Sequence, residues 1–262
     1  MDQTRVGRTG WLVLHCVAEG AARLPPGSAL SAVDRVVRGM GGVFPCRRCR
    51  EDIVPTWKAV RAGRATGEDV RLTMVRFHQA VTQKVSALAG QPCKCDPPQV
   101  VLSRYGPRYE RLVRHGVSAA YVASFLFSVV MNCRGIVPNI QLDHSVLSHS
   151  EAVRNFACRL LSFVRDVCSV LQLPPPQHVA TDSCNQLHAD WWKWVKDELL
   201  GDRIVHAVFG DFDTMRDTHL CTRVRSPKYD ALRAPARFCG GKKCNGGCLR
   251  CDAALKRVWQ TK

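Results

Sequence analysis

The 262-residue sequence predicts an all-α fold. Two observations carry this reading. Apolar residues recur every three or four positions through most of the chain, and proline or glycine punctuates the intervals between consecutive runs. The length suits two domains of ordinary size. A helical bundle is expected over residues 1–115, a second, mainly helical domain over 116–238, and a cysteine-rich tail over 239–262.

The first run is Trp11, Leu14, His15 and Ala18, at i, i+3, i+4 and i+7, so Trp11 and His15 share one helix face. That face suits either a core with a hydrogen-bonded histidine or a flat aromatic wall with a polar donor for a planar ring. Leu24-Pro25-Pro26-Gly27 ends this helix, and Ser28 is placed to cap a second one burying Leu30, Val33, Val37 and Met40. Gly41-Gly42 is expected to stop it. The third helix carries Ile53, Val54, Trp57 and Val60, with Pro55 expected to kink or split it. After a Gly-rich loop over 63–67, the fourth has the stripe Met74, Phe77, His78, Val81, Val85 and Leu88, which points His78 at the interior or at a ligand.

Further on, Val117 to Met131 reads as one helix, and Ser150 opens a longer one running to Leu171, stopped by Pro174-Pro175-Pro176. A stretch from Cys184 to Leu200 contains Trp191, Trp192 and Trp194, read as a core or subunit contact rather than a substrate platform. Cys133, Cys158, Cys168, Cys184 and Cys221 are expected to be core thiols, with at most one structural disulfide among them.

Fourteen cysteines in a chain this long and this rich in Leu, Val and Ala point to chemistry rather than to the stapling of a small secreted scaffold. No charged-then-apolar leader opens the sequence, and no uncharged apolar run reaches the ~20 residues of a membrane span. A protein made without secretion and lacking a membrane segment is expected. The net charge of +16 invites a nucleic-acid reading, but the basic residues are dispersed singly, without a zinc-finger or RNA-recognition signature. Polyanion binding is therefore not expected to be the main function.

The chemistry centres on Phe44-Pro45-Cys46-Arg47-Arg48-Cys49-Arg50-Glu51-Asp52. A Cys-x-x-Cys opening a helix faces unsatisfied backbone N–H groups and the positive end of the helix dipole, and neighbouring arginines favour the thiolate further. The spacing leaves three readings open: a redox pair, half of a zinc site whose nearest downstream candidates are Cys93 and Cys95, or two ordinary buried thiols.

Three ordered motifs carry a family resemblance. Gly7-Arg8-x-x-Trp11-x-x-Leu14-His15-x-x-Ala18, then Phe44-Pro45-Cys46-x-x-Cys49-x-x-Asp52, then His78-Gln79-x-Val81-Thr82 resemble, in order and separation, the Erv/ALR family of FAD-linked sulfhydryl oxidases. The resemblance covers residues 5 to 106. It implies a four-helix bundle holding FAD, with Cys49 as the sulfur beside the flavin and Cys46 as the sulfur that exchanges with incoming thiols. It further implies that Arg8, Trp11 and His15 line the cofactor from the first helix, while His78, Gln79 and Thr82 meet its adenine and ribose end. Dioxygen as electron acceptor, protein thiols as substrates and a homodimer follow from the same likeness. So does a setting in host cytoplasm and virion for a large DNA virus, with the mitochondrial intermembrane space as the alternative.

The chain also departs from the family pattern. The usual His-Asn-x-Val-Asn reads His78-Gln79-x-Val81-Thr82, and Val75 stands where a structural cysteine is usual, which leaves Cys95 without an evident partner. Arg104-Tyr105 occupies the place of a frequent Arg-Trp. In the tail, Cys239, Cys244, Cys248 and Cys251 are separated by glycines. They suit either one zinc ion or a flexible redox segment in which Cys248 and Cys251 relay electrons to the Cys46–Cys49 pair. The rival reading of the whole chain is a basic, zinc-stabilised helical protein that binds nucleic acid or protein partners.

Overall fold

The structure is a computed structural model and describes residues 3–64, 67–88, 90, 93, 95–133, 137, 147–177 and 181–209. Among these residues the fold is all-α, without a strand. The helices are α1 (Gln3–Ala21), α2 (Pro26–Val43), α3 (Arg47–Ala62), α4 (Val70–Leu88), α5 (Pro98–Arg114), α6 (Ser118–Val130), α7 (His149–Leu171), α8 (Cys184–Trp194) and α9 (Asp202–Phe209). A π-helical turn, Val195–Leu200, joins the last two.

Helix α1 is the axis of the molecule, packing against α2, α4, α5, α6 and α7. Its burial therefore goes beyond the single stripe that the sequence predicts: Val13, Cys16 and Val17 are as enclosed as Leu14 and Ala18. A helix surrounded by others has no solvent face to leave polar. Helix α3 packs on both α2 and α4, and α4 returns to α1, so the first four helices close on one another. Between α2 and α3, the buried Trp57 indole N–H donates to the Asp34 carboxylate at 3.0 Å, and Arg38 and Arg61 each reach the same carboxylate at 2.7 Å. Burial raises the Asp34 pKa, but the hydrogen bonds from Trp57, Arg38 and Arg61 overcome it and leave the carboxyl below its ordinary value.

Several boundaries differ from expectation. Helix α2 begins at Pro26, whose ring presets the helical φ, and Ser28 is inside the helix rather than its cap. It also runs through Gly41 and Gly42 to Val43. Gly41 serves close approach instead of termination: a Cβ there would come within 2.9 Å of Val54 Cγ2 on α3. Pro55 neither ends nor splits α3, because it falls on the exposed face, where the carbonyl four residues earlier can turn to water. The stripe of α4 is buried only as far as Phe77, with Val85 and Leu88 60% and 62% exposed where α4 passes the start of α3.

Helix α5 lies outside the expected set of four. Its signal is Pro98 at the first turn with Val101, Tyr105, Tyr109 and Leu112 three or four residues apart. The cap of α7 is Ser148, not Ser150: its hydroxyl accepts the Glu151 N–H while the Glu151 carboxylate takes the Ser148 N–H, a complete capping box. Gln172, in the left-handed region at φ 55°, ends that helix before the prolines. Trp191 and Trp194 are core residues, as expected, and meet edge to face at 5.4 Å.

A single cluster of buried apolar residues extends from α1 through α9. Helix α6 packs on α1 and α7 lies along α2, so this core crosses the boundary expected at residue 115. Cys133 and Cys184 are joined as a disulfide, whereas Cys158, expected in the core, is exposed because it occupies the outer face of α7.

Candidate functional site

The site begins where α2 ends. Phe44 leaves that helix in an extended conformation, and Cys46, at φ −84° and ψ 116°, is the N-cap of α3. Its Sγ accepts the Cys49 backbone N–H at 3.2 Å, one of the donors that a helix N-terminus cannot satisfy internally. The two sulfurs are bonded, with Cα atoms 5.2 Å apart. Arg50 donates to the Phe44 carbonyl at 3.0 Å and ties the turn before the pair to the helix after it. Arg47 is engaged with Glu51 at 2.9 Å on the exposed face of α3.

Behind Cys49 lies an apolar cavity of about 400 Å³, bounded by Gly10 and Trp11 of α1, Phe44, and Phe77 and Val81 of α4. The volume is typical of small-molecule sites, about 300–1,000 Å³. Cys49 lines this cavity and Cys46 does not, so the two sulfurs are chemically inequivalent. Gly10 keeps the wall close: a Cβ there would press on the Phe125 and Phe44 rings at 3.3 and 3.4 Å.

Trp11, on the wall of this cavity, is the outermost ring of an aromatic stack drawn from three helices. Trp11 lies flat on His78, with ring centroids 3.9 Å apart and planes within 10°. His78 Nδ1 is 3.0 Å from His15 Nε2, and His15 stacks on Tyr109 at 4.7 Å and 7°. The sequence placed Trp11, His15 and His78 on inner faces; Tyr109 escaped notice with the rest of α5. Burial, helped by the neighbouring His78, pushes His15 down to about 3, and burial pushes His78 down to about 4. Both imidazoles are therefore neutral near pH 7, and one can donate to the other without a net charge in the bundle.

Beyond His15 and His78 is a second cavity of about 230 Å³, more polar, whose lining includes Glu19, Arg71, Tyr105, Arg108 and Tyr109. Glu19 is only 5% exposed and stands 3.6 Å from Arg71. Burial raises its pKa, and the charge of Arg71 opposes that rise. Apart from Tyr105, at the place of the family's frequent Arg-Trp, none of these polar residues carried a motif in the sequence, since each is a single polar position on an otherwise amphipathic helix.

The remaining expected residues divide. Gln79 donates to the Asp96 carbonyl at 2.6 Å, and the exposed Thr82 bonds back to the His78 carbonyl at 2.9 Å. Neither lines either cavity. Residue 79 is ~200° around α4 from Val81 at ~100° per residue, so it faces away from the apolar cavity. Arg8 belongs to α1, but its side chain lies outside the described residues, as do Cys239, Cys244, Cys248 and Cys251 entirely. Cys95, unpartnered in the sequence reading, has its Sγ 2.8 Å from that of Cys93. Among the described residues no three His, Cys, Asp or Glu side chains gather as a metal site, and no single helix is long and apolar enough to cross a membrane.

No protein-family model matches this chain, and comparison with curated proteins and with solved structures returned no match.

Proposed function

We propose that the chain is a thiol oxidase that uses FAD to introduce disulfides into protein substrates, of the kind the Erv/ALR family represents. The observation that carries this reading is the asymmetric placement of the cysteine pair. Cys49 forms part of the wall of an apolar cavity sized for a planar ring, while Cys46 caps the helix outside it.

A substrate thiolate would attack Cys46 Sγ, breaking the Cys46–Cys49 bond and leaving Cys49 as a thiolate at the cavity wall. A second substrate thiol then attacks the mixed disulfide, forming the substrate disulfide and releasing Cys46. The Cys49 N–H and the N-terminus of α3 stabilise Cys46 as the leaving thiolate. The chemistry that FAD would supply, if held by Trp11, Phe44 and Phe77 beside Cys49, is two-electron transfer from the reduced pair to dioxygen with hydrogen peroxide as product. Trp11, Phe44 and Phe77 would exclude water beside Cys49, and the neutral His15–His78 pair would add hydrogen-bonding capacity without charge.

The apolar cavity fits the flavin ring system. The fit at the other end differs from the family pattern, because Gln79 and Thr82 are already engaged with backbone carbonyls. Arg71 and Arg108 line the second cavity, but Arg71 is paired with Asp69 at 2.6 Å and Glu19 at 3.6 Å, so a pyrophosphate there would have to compete with those carboxylates.

Cys49→Ser is the direct test. The variant is expected to retain bound flavin, seen as visible absorbance in the purified protein, and to lose oxygen consumption with dithiothreitol. Turnover equal to that of the unmodified chain would remove this pair from the chemistry. A colourless protein containing stoichiometric zinc would favour the zinc-stabilised binding protein instead.

A further inference from the structure

The segment joining α4 to α5 holds a second pair of sulfurs. We propose that Cys93 and Cys95 form a reversible dithiol–disulfide couple that exchanges with external disulfides, separately from Cys46 and Cys49.

Three observations support it. First, the two Sγ atoms are already 2.8 Å apart, and both residues are half-buried, so a small disulfide can reach them. Alternate residues of a chain have Cα atoms about 5–7 Å apart, which overlaps the ~4.4–6.8 Å that a disulfide spans. Second, the neighbouring Asp96 is held from both sides. The Gln79 side chain on α4 donates to its carbonyl at 2.6 Å, and Arg104 on α5 pairs with its carboxylate at 2.9 Å. Asp96, next to Cys95, is thus held between α4 and α5.

Third, the direction of Gln79 locates the couple. Gln79 faces away from the cavity lined by Phe77, Val81 and Cys49, so the body of α4 stands between Cys95 and the Cys46–Cys49 pair. The exchange partner therefore comes from outside the bundle. Glutathione disulfide represents the chemical class, as does a disulfide in another protein.

The exchange is balanced without any other oxidant. The Cys93 thiolate attacks one sulfur of RS–SR, forming Cys93–S–S–R and expelling one thiolate. Cys95 then attacks the Cys93 sulfur, closing Cys93–Cys95 and expelling the second. Two electrons and two protons leave the pair, and the external disulfide becomes two thiols. The order follows from the contact itself. The sulfur contact with Cys93 raises the Cys95 pKa, with smaller contributions from burial and from the charges of Cys93 and Asp96. This disfavours Cys95 as the first nucleophile.

The test uses the full chain carrying Cys46→Ser and Cys49→Ser, so its outcome is independent of the proposed oxidase. The protein is equilibrated in a graded series of reduced and oxidised glutathione, acid-quenched, alkylated and digested with trypsin. Cleavage after Lys84, Lys94 and Arg104 yields Val85–Lys94 and Cys95–Arg104, which remain joined only when Cys93 and Cys95 are bonded to each other. The joined species is expected to rise from near absence to near completion with a single midpoint. Cys95→Ser should instead accumulate glutathione on Cys93. If the double variant loses its helical circular dichroism, the unmutated chain is titrated in its place, because the same two peptides report the same bond. Alkylation of both cysteines at every ratio, or their bonding to other cysteines instead, would overturn the proposal.

Discussion

The stack of Trp11, His78, His15 and Tyr109 contains two histidines that burial holds well below their ordinary pKa. An unfolded histidine titrates near 6.5, whereas His15 and His78 are held at about 3 and about 4 by burial. Between those values the unfolded chain binds more protons than the folded one, so folding is favoured above pH 6.5 and loses ground as pH falls toward 4. Each histidine contributes up to about 1.4 kcal/mol per pH unit in that window. Glu19, raised by burial, works in the opposite sense over part of the same range. The comparison of His78→Gln with the parent isolates the histidine contribution. Urea denaturation at pH 7 and pH 5 should show a smaller loss of stability on acidification in the variant, and equal losses would mean that His78 titrates normally.

Thiol reactivity is a second property set residue by residue, since the thiolate is the nucleophile. Burial pushes Cys168 up to about 12, whereas Cys158 is exposed on the same helix. In the native protein a maleimide should label Cys158 within minutes and Cys168 only after denaturation. Rapid native labelling of Cys168 would mean that α7 opens locally.

At the scale of the element, the seat of α3 on α2 decides whether the cysteine pair is held in place. Gly41→Ala would set a Cβ 2.9 Å from Val54 Cγ2, whereas at the neighbouring Gly42 the added atom meets only Arg159 Cδ, at 3.8 Å. Overpacking costs about 1–3 kcal/mol. The better helix propensity of alanine returns up to about 1 kcal/mol at either position. Gly41→Ala should therefore lower the melting temperature and Gly42→Ala should hold or raise it, with Val54→Ala recovering part of the loss in the first. Matched melting curves for the two glycine variants would show that α2 and α3 are free to separate.

At the scale of the whole molecule, α6 is the helix with least access to water. All of its residues except Ser128 are buried, and it packs on α1 and α8. A chain truncated after residue 115 would uncover the faces of α1 and α2 that α6 and α7 now cover. Loss of buried apolar surface costs about 25 cal/mol per Å². The 1–115 fragment is expected to bind a hydrophobic dye and to unfold without a cooperative transition, both measurable against the full chain. A sharp transition in the fragment would make the bundle an independent folding unit.

The all-helical class and the inward faces of Trp11, His15, Phe77 and His78 were legible in the sequence, as was the Cys46–Cys49 pair at a helix start. Each depends on spacing along one helix, and a period of 3.6 residues brings such positions together without reference to the rest of the chain. What the tertiary structure decided depends on contacts between helices. Gly41 reads as a stop until α3 is seen to press on it, and Val85 and Leu88 read as core until α4 is seen to pass the start of its neighbour. Tyr109, Glu19 and Arg71 join the site only because α5 and α4 lie against α1. Cys93 and Cys95 stand one residue apart in sequence, but that Asp96 beside them is held by both α4 and α5 is seen only in the fold. Periodicity tells which face of a helix is apolar; only packing tells how much of that face another helix covers.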